Sequence, residues 1–157
     1  MRPSGPVNEM EYSGEIPVKS GLDNVRGFLS RIENITPCLP GIYDFEIEGN
    51  EIKCKLKLDI SAAGISAMNT VTGKMTFTYL PGDEDLNIQG TGRIAGSKVK
   101  FSIEIAYTVD NGNTVLHWKS SFDFGLIVKI MGKNEVDEIS KQNIERTVNC
   151  ISDKLNK

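Results

Sequence analysis

Few side chains in this sequence have the type and spacing for covalent chemistry. Its single histidine, His117, falls on the polar side of an alternating run, Leu116-His117-Trp118-Lys119-Ser120. A general acid or base must face its substrate in a cleft, and no nucleophile stands near this imidazole in the pattern. Glu15, Glu46 and Glu104 also lie on the polar sides of their own runs, so no inward carboxylate pair emerges. The three cysteines, Cys38, Cys54 and Cys150, are odd in number, far apart and without a Cys-x-x-Cys pair. Read as free thiols, they act as small hydrophobes and suit a reducing compartment. One histidine and no ligand spacing leave no donor set for zinc, so neither metal nor cofactor is expected. Gly90-Thr91-Gly92 lies within an alternating run, not at a strand-to-helix turn, and offers a phosphate no helix N-terminus.

The more suggestive residues are those that would bind by burial. Tyr43, Phe77, Phe101, Tyr107, Trp118 and Phe122 fall on inward faces, with Met75, Ile88 and Ile139, and together could line an apolar cavity. Plain core is the competing reading for each. Trp118 and the tyrosines stand out because a buried N–H or O–H needs a partner. Ser120 and Asn143 are the rare inward polar residues; they would orient a ligand carbonyl or simply be satisfied in place. The small-residue stretch 61–67 (SAAGISA) reads as a cavity mouth or an ordinary connection, with Ile65 and Met68 at the rim and Leu39 and Ile42 on the opposite lip. Residues 125–132 (GLIVKIMG) form an apolar stretch between glycines: a flap, a docking patch, or a buried helix start. Lys53, Lys55 and Lys57 make a basic outer stripe. Such a stripe is usually a solvated face that guards a sheet edge, and it also suits an anionic membrane or acidic partner.

The elements that must position these residues follow from periodicity. Residues 1–9 carry turn formers and no period, and read as a flexible leader; Met10 is a plausible natural start. From Met10, Tyr12, Gly14, Ile16 and Val18 alternate with polar residues as a half-buried strand. Ser20 offers an N-cap to a helix bearing Leu22, Val25, Phe28, Leu29 and Ile32. Pro37, Pro40 and Gly41 end it. Six further alternating runs follow: 43–47, 52–60, 71–79, 86–94, 99–109 and 116–124. Their short turns force antiparallel neighbours, and their polar alternates give the sheet one wet side. From about Gly132 to Lys157 a long helix is expected, capped by Asn134, with Val136, Ile139, Thr147, Val148, Ile151 and Leu155 as its apolar stripe. No βαβ crossover is present, which excludes doubly wound folds. One long helix cannot flatly cover so broad a sheet, so the sheet must curl around it, with Gly73, Gly90, Gly92 and Gly96 at bends or bulges.

The composition agrees with a single globular domain over residues 10–157. Of the 157 residues, 39% are hydrophobic and 25% charged, a balance that argues against disorder. The net charge of −3 lacks the basic excess that nucleic-acid binding requires. No apolar run reaches the roughly 18 residues of a spanning helix, and the N-terminus has no signal-peptide pattern. A cytoplasmic location is the default expectation.

Met10-Glu11-Tyr12-Ser13-Gly14-Glu15, Cys38-Leu39-Pro40-Gly41, Gly73-Lys74-Met75-Thr76-Phe77, Gly90-Thr91-Gly92 and Ala95-Gly96-Ser97, in this order, carry a family resemblance over about residues 10–155. The chain resembles the CoxG family, small proteins associated with molybdenum-containing carbon monoxide dehydrogenases, within the START and pollen-allergen superfamily. The resemblance implies an α+β helix-grip fold: a curved seven-stranded antiparallel sheet wrapped around a long C-terminal helix. It implies a non-catalytic carrier for a hydrophobic small molecule, a lipid or quinone, that serves a molybdenum-type dehydrogenase. Many such proteins carry a further C-terminal apolar tail, whereas this sequence ends at Lys157, directly after the expected helix. That leaves the cavity as the implied function and limits membrane contact to a peripheral one. Two other readings stand beside it: an interaction or membrane-recruitment module without a ligand, and a cyclase- or hydrolase-type enzyme.

Overall fold

The computed structural model describes residues 9–39, 41–59, 70–126, 129 and 132–156. The expected leader, apart from Glu9, and the whole 61–67 stretch with Ile65 and Met68 lie outside them.

Seven strands form one antiparallel sheet in the order β1-β7-β6-β5-β4-β3-β2. They are β1 (Glu9–Val18), β2 (Ile42–Glu48), β3 (Glu51–Asp59), β4 (Thr70–Pro81), β5 (Asp85–Ile94), β6 (Ser97–Asp110) and β7 (Asn113–Asp123). From β2 to β7 each strand pairs with the next in sequence, and β1 returns to the free side of β7. The helical run after β1 is broken. α1 (Leu22–Leu29) stops at Ser30, then α2 (Ile32–Ile35) leads into a 3-10 turn, Thr36–Cys38. Gly21, not Ser20, occupies the N-cap of α1; Ser20 instead accepts a hydrogen bond from Asn24.

α3 (Lys133–Leu155) begins behind Gly132, whose φ of 97° is open to glycine, so Asn134 lies inside the first turn and does not cap it. Its buried face is Val136, Ile139, Ser140, Asn143, Ile144, Thr147, Ile151 and Leu155. Val148, expected in the stripe, is only half-buried, and Ile144 takes its place. Ser140, Asn143 and Thr147 enter the core at low cost because each donates to the carbonyl one turn back, of Val136, Ile139 and Asn143 respectively.

Two expectations are corrected. Cys38 and Cys150 are not free thiols: they form a disulfide across Cα atoms 5.5 Å apart, tying the 3-10 turn to α3. A separation of 112 residues left no local trace of this pairing, and the inference from free thiols to a reducing compartment falls with it. Among the described residues Cys54 is the free cysteine, and burial pushes its thiol up to about 11. The second correction concerns bulges. The register shift lies in β2 at Asp44, between Tyr43 and Phe45, where φ is 47°. Gly73 and Gly92 carry no bulge; they let β4 and β5 approach so closely that an added Cβ would strike the carbonyl of Arg93 or of Lys74.

Candidate functional site: an apolar cavity beneath the long helix

Between α3 and the concave face of β3 to β7 lies a small void of about 30 Å³. Its lining is almost wholly apolar. Met75 and Phe77 on β4, Phe101 on β6 and Phe122 on β7 stand where the inward alternation of their strands places them. Ile139 and Asn143 project from α3. These six of the expected cavity residues are brought together. Phe101 and Phe122 pack with ring centroids 4.7 Å apart, and Phe122 stacks on Phe124 at 5.3 Å. Phe77 meets Phe101 edge-on.

Five expected residues lie elsewhere. Tyr43 is 44% exposed because Asp44 gives β2 two residues where β3 has one, which flips Tyr43 to the outer face opposite Lys55. Ile88 is buried core away from the void. The Tyr107 hydroxyl donates to the Gly82 carbonyl, 3.2 Å away, so the partner expected of a ligand is backbone. Trp118 lies half-buried over Gly14, where an added Cβ would come within 2.8 Å of the indole. Ser120 donates to the Ser102 carbonyl at 3.2 Å. Of the expected mouth, Leu39 is buried and Ile42 half-buried, and neither lines the void. His117 sits on the outer face between Glu15, 3.1 Å away, and Thr108, 2.9 Å away.

The lining also holds Leu56, Ile94, Val99, Lys100, Phe124 and Ser140. All but Lys100 and Ser140 belonged to inward-facing sets of their runs. Ser140 had a signal too, four residues after Val136 and three before Asn143 on one helix face. Beside Ser140, the Tyr12 hydroxyl on β1 donates to Asp137 Oδ1 at 2.6 Å, joining β1 to the first turns of α3. Tyr12 is held well above the ordinary phenol range, first by burial and then by this bond. The same hydroxyl, ahead of Lys141, holds the Asp137 carboxyl below its usual range. Among the described residues no three His, Cys, Asp or Glu side chains are grouped to hold a metal ion. No helix among them is long and apolar enough to cross a membrane.

Comparison with known proteins fits this architecture. A family model for CoxG, a subunit of carbon monoxide dehydrogenase, matches residues 14–156. The chain belongs to the CoxG family. No curated protein sequence matches it. A conserved protein from Geobacillus kaustophilus is similar in structure, with a TM-score of 0.76 and 17% identity over 93% of this chain and 95% of that one. A START superfamily protein from Mycobacterium smegmatis has a TM-score of 0.62 at 11% identity, over 92% of this chain and 96% of that one. The Zhui aromatase/cyclase from Streptomyces sp. R1128 has a TM-score of 0.61 at 15% identity, covering 94% and 93%. At such identities the likeness is one of fold, the START-like helix-grip arrangement.

Proposed function

We propose that this CoxG-family protein binds a hydrophobic small molecule, a lipid or quinone, beneath α3 and serves as a carrier beside a molybdenum-type dehydrogenase. The observation that carries the reading is the lining of the void: aromatic and aliphatic side chains from the sheet, faced by the two polar residues Ser140 and Asn143 on the helix. Apolar burial at about 25 cal/mol per Å² supplies the affinity. Asn143 uses one N–H on the Ile139 carbonyl, and its remaining amide capacity orients a polar group on the ligand. The family's name supports the dehydrogenase partnership.

The void of about 30 Å³ is far below the roughly 300–1,000 Å³ of pockets that enclose a drug-sized ligand. Uptake therefore requires expansion, with the Phe101 and Phe122 rings turning aside and α3 moving outward. The test is organic extraction of the purified native protein followed by mass spectrometry, with added quinones in a thermal-shift series. An enriched, near-stoichiometric apolar molecule, or a rise in Tm with quinone that Asn143→Leu reduces, is the expected result. If nothing is enriched and quinones leave Tm unchanged, the void is packed core and the carrier reading is overturned.

A further inference from the structure

The outer face of the sheet carries a feature at odds with the chain's net charge of −3. Strand register places Lys55 directly opposite Lys74, Lys74 opposite Arg93, and Arg93 opposite Lys98. Four cations thus cross β3, β4, β5 and β6 in one row, over about 14 Å if neighbouring strands lie ~4.8 Å apart. Like charges placed directly opposite destabilise a sheet, and these spacings fall within the Debye length of about 8 Å at physiological salt. Lys57 and Lys100 flank the row on the same face. The carboxylates beside it lie towards its two ends: Asp44, 3.3 Å from Lys55, and Glu46, opposite Lys53, on the β2 side, and Asp123, opposite Lys100, on the β7 side. Among the described residues no ion pair reaches Lys74, Arg93 or Lys98, although Arg93 also donates to the Gly96 carbonyl.

From this row we infer a docking surface for an anionic lipid bilayer. The charges are spread along a broad face and not gathered round one deep pocket, which fits a surface of many phosphates better than one small ligand. A shallow hollow beside the row brings Lys53, Lys55 and Lys74 together with Thr76 and Thr91, and its β2 side carries Asp44 and Glu46, so it is the Lys74 end, away from those carboxylates, that offers free donors to a lipid phosphate. Leu126, 61% exposed, follows β7, and its N–H donates to the Ser97 hydroxyl at the start of β6. A broad unpaired cationic face is what an anionic lipid surface attracts. The same stretch of sheet carries the void on its other face, since Met75, Ile94 and Val99 immediately follow Lys74, Arg93 and Lys98. Docking brings that end of the molecule to the membrane, yet it stands on charge and needs no ligand in the cavity.

Vesicle flotation of the full chain tests this, with phosphatidylcholine alone and phosphatidylcholine mixed with phosphatidylglycerol, at low and high salt. Binding to the anionic vesicles alone, lost at high salt, is expected. Each neutralised cation should weaken it roughly fivefold, so the triple change Lys74→Gln, Arg93→Gln and Lys98→Gln abolishes flotation. The control change Lys19→Gln, Lys133→Gln and Lys154→Gln removes equal charge away from the row and retains more binding than the row variant; circular dichroism confirms that both fold. Equal binding to neutral vesicles, equal loss in the two triple variants, or no vesicle binding by a protein that an acidic polypeptide column retains would overturn the inference. The last outcome would assign the row to a protein partner. Ligand extraction is a separate measurement, so failure of docking leaves the carrier reading standing.

Discussion

The two faces of the sheet follow opposite rules. On the concave side the polar groups are tied down: Ser140, Asn143 and Thr147 return their donors to their own helix, and Tyr107 and Ser120 find backbone carbonyls. No buried side-chain nitrogen or oxygen among the described residues lacks a partner. On the convex side Lys74, Arg93 and Lys98 stand next to one another with no ion-pair partner among the described residues. The physical difference is solvent. A buried donor without an acceptor costs about 1–3 kcal/mol, so the interior cannot tolerate one, whereas water screens the mutual repulsion of a row of cations. Interior polar residues therefore have a reason in folding, and only the part of Asn143's amide that its helix leaves unused is open to a ligand. A surface row of like charges opposes folding slightly, so packing does not account for it; the proposed docking surface does.

That contrast predicts effects of opposite sign on the two faces. The largest is expected at Phe122, buried against Phe101, Phe124 and Tyr12. Phe122→Ala should cost about 3–5 kcal/mol in denaturant unfolding. A cost below about 1 kcal/mol would mean that the concave face is loosely packed. Next comes the seam where β1 meets α3. Tyr12→Phe removes the bond to Asp137 and should cost about 1 kcal/mol at neutral pH. The folded Asp137 carboxyl lies below its ordinary value, so its contribution is present above the unfolded value of about 3.9 and is lost as pH falls through the folded one. The variant should therefore lose less stability than the parent over that acid range, and parallel pH curves would remove Tyr12 as the cause. The smallest effect, and the one of reversed sign, is at the row: Lys74→Gln should gain about 0.5 kcal/mol at low salt, shrinking as salt rises. A loss of stability there would show that the row is paired in solution and erase the contrast.

Most of the strand pattern was legible because a half-buried strand must alternate. Four of the expected cavity aromatics and aliphatics on the sheet, Met75, Phe77, Phe101 and Phe122, face the void for that reason. Tyr43 failed because one inserted residue reverses parity beyond it, and nothing local marks Asp44 as a bulge. Tyr107, Trp118 and Ser120 failed differently: they do face inward, but inward is a larger region than the void. The basic stripe Lys53, Lys55 and Lys57 was visible as a single strand's outer face. Its continuation through Lys74, Arg93 and Lys98 was hidden, since alternation tells which face a residue takes and not which residue stands beside it.

By itself, then, the sequence determined the element order, the antiparallel sheet and the apolar face of α3, all set by local periodicity and short turns. Tertiary structure alone decided the Cys38–Cys150 bridge, the bulge that turned Tyr43 outward, the small size of the void and the alignment of four cations. Each depends on register or on contact between distant segments. Those are set by how the whole sheet closes on its helix, and a pattern of period two carries no information about them.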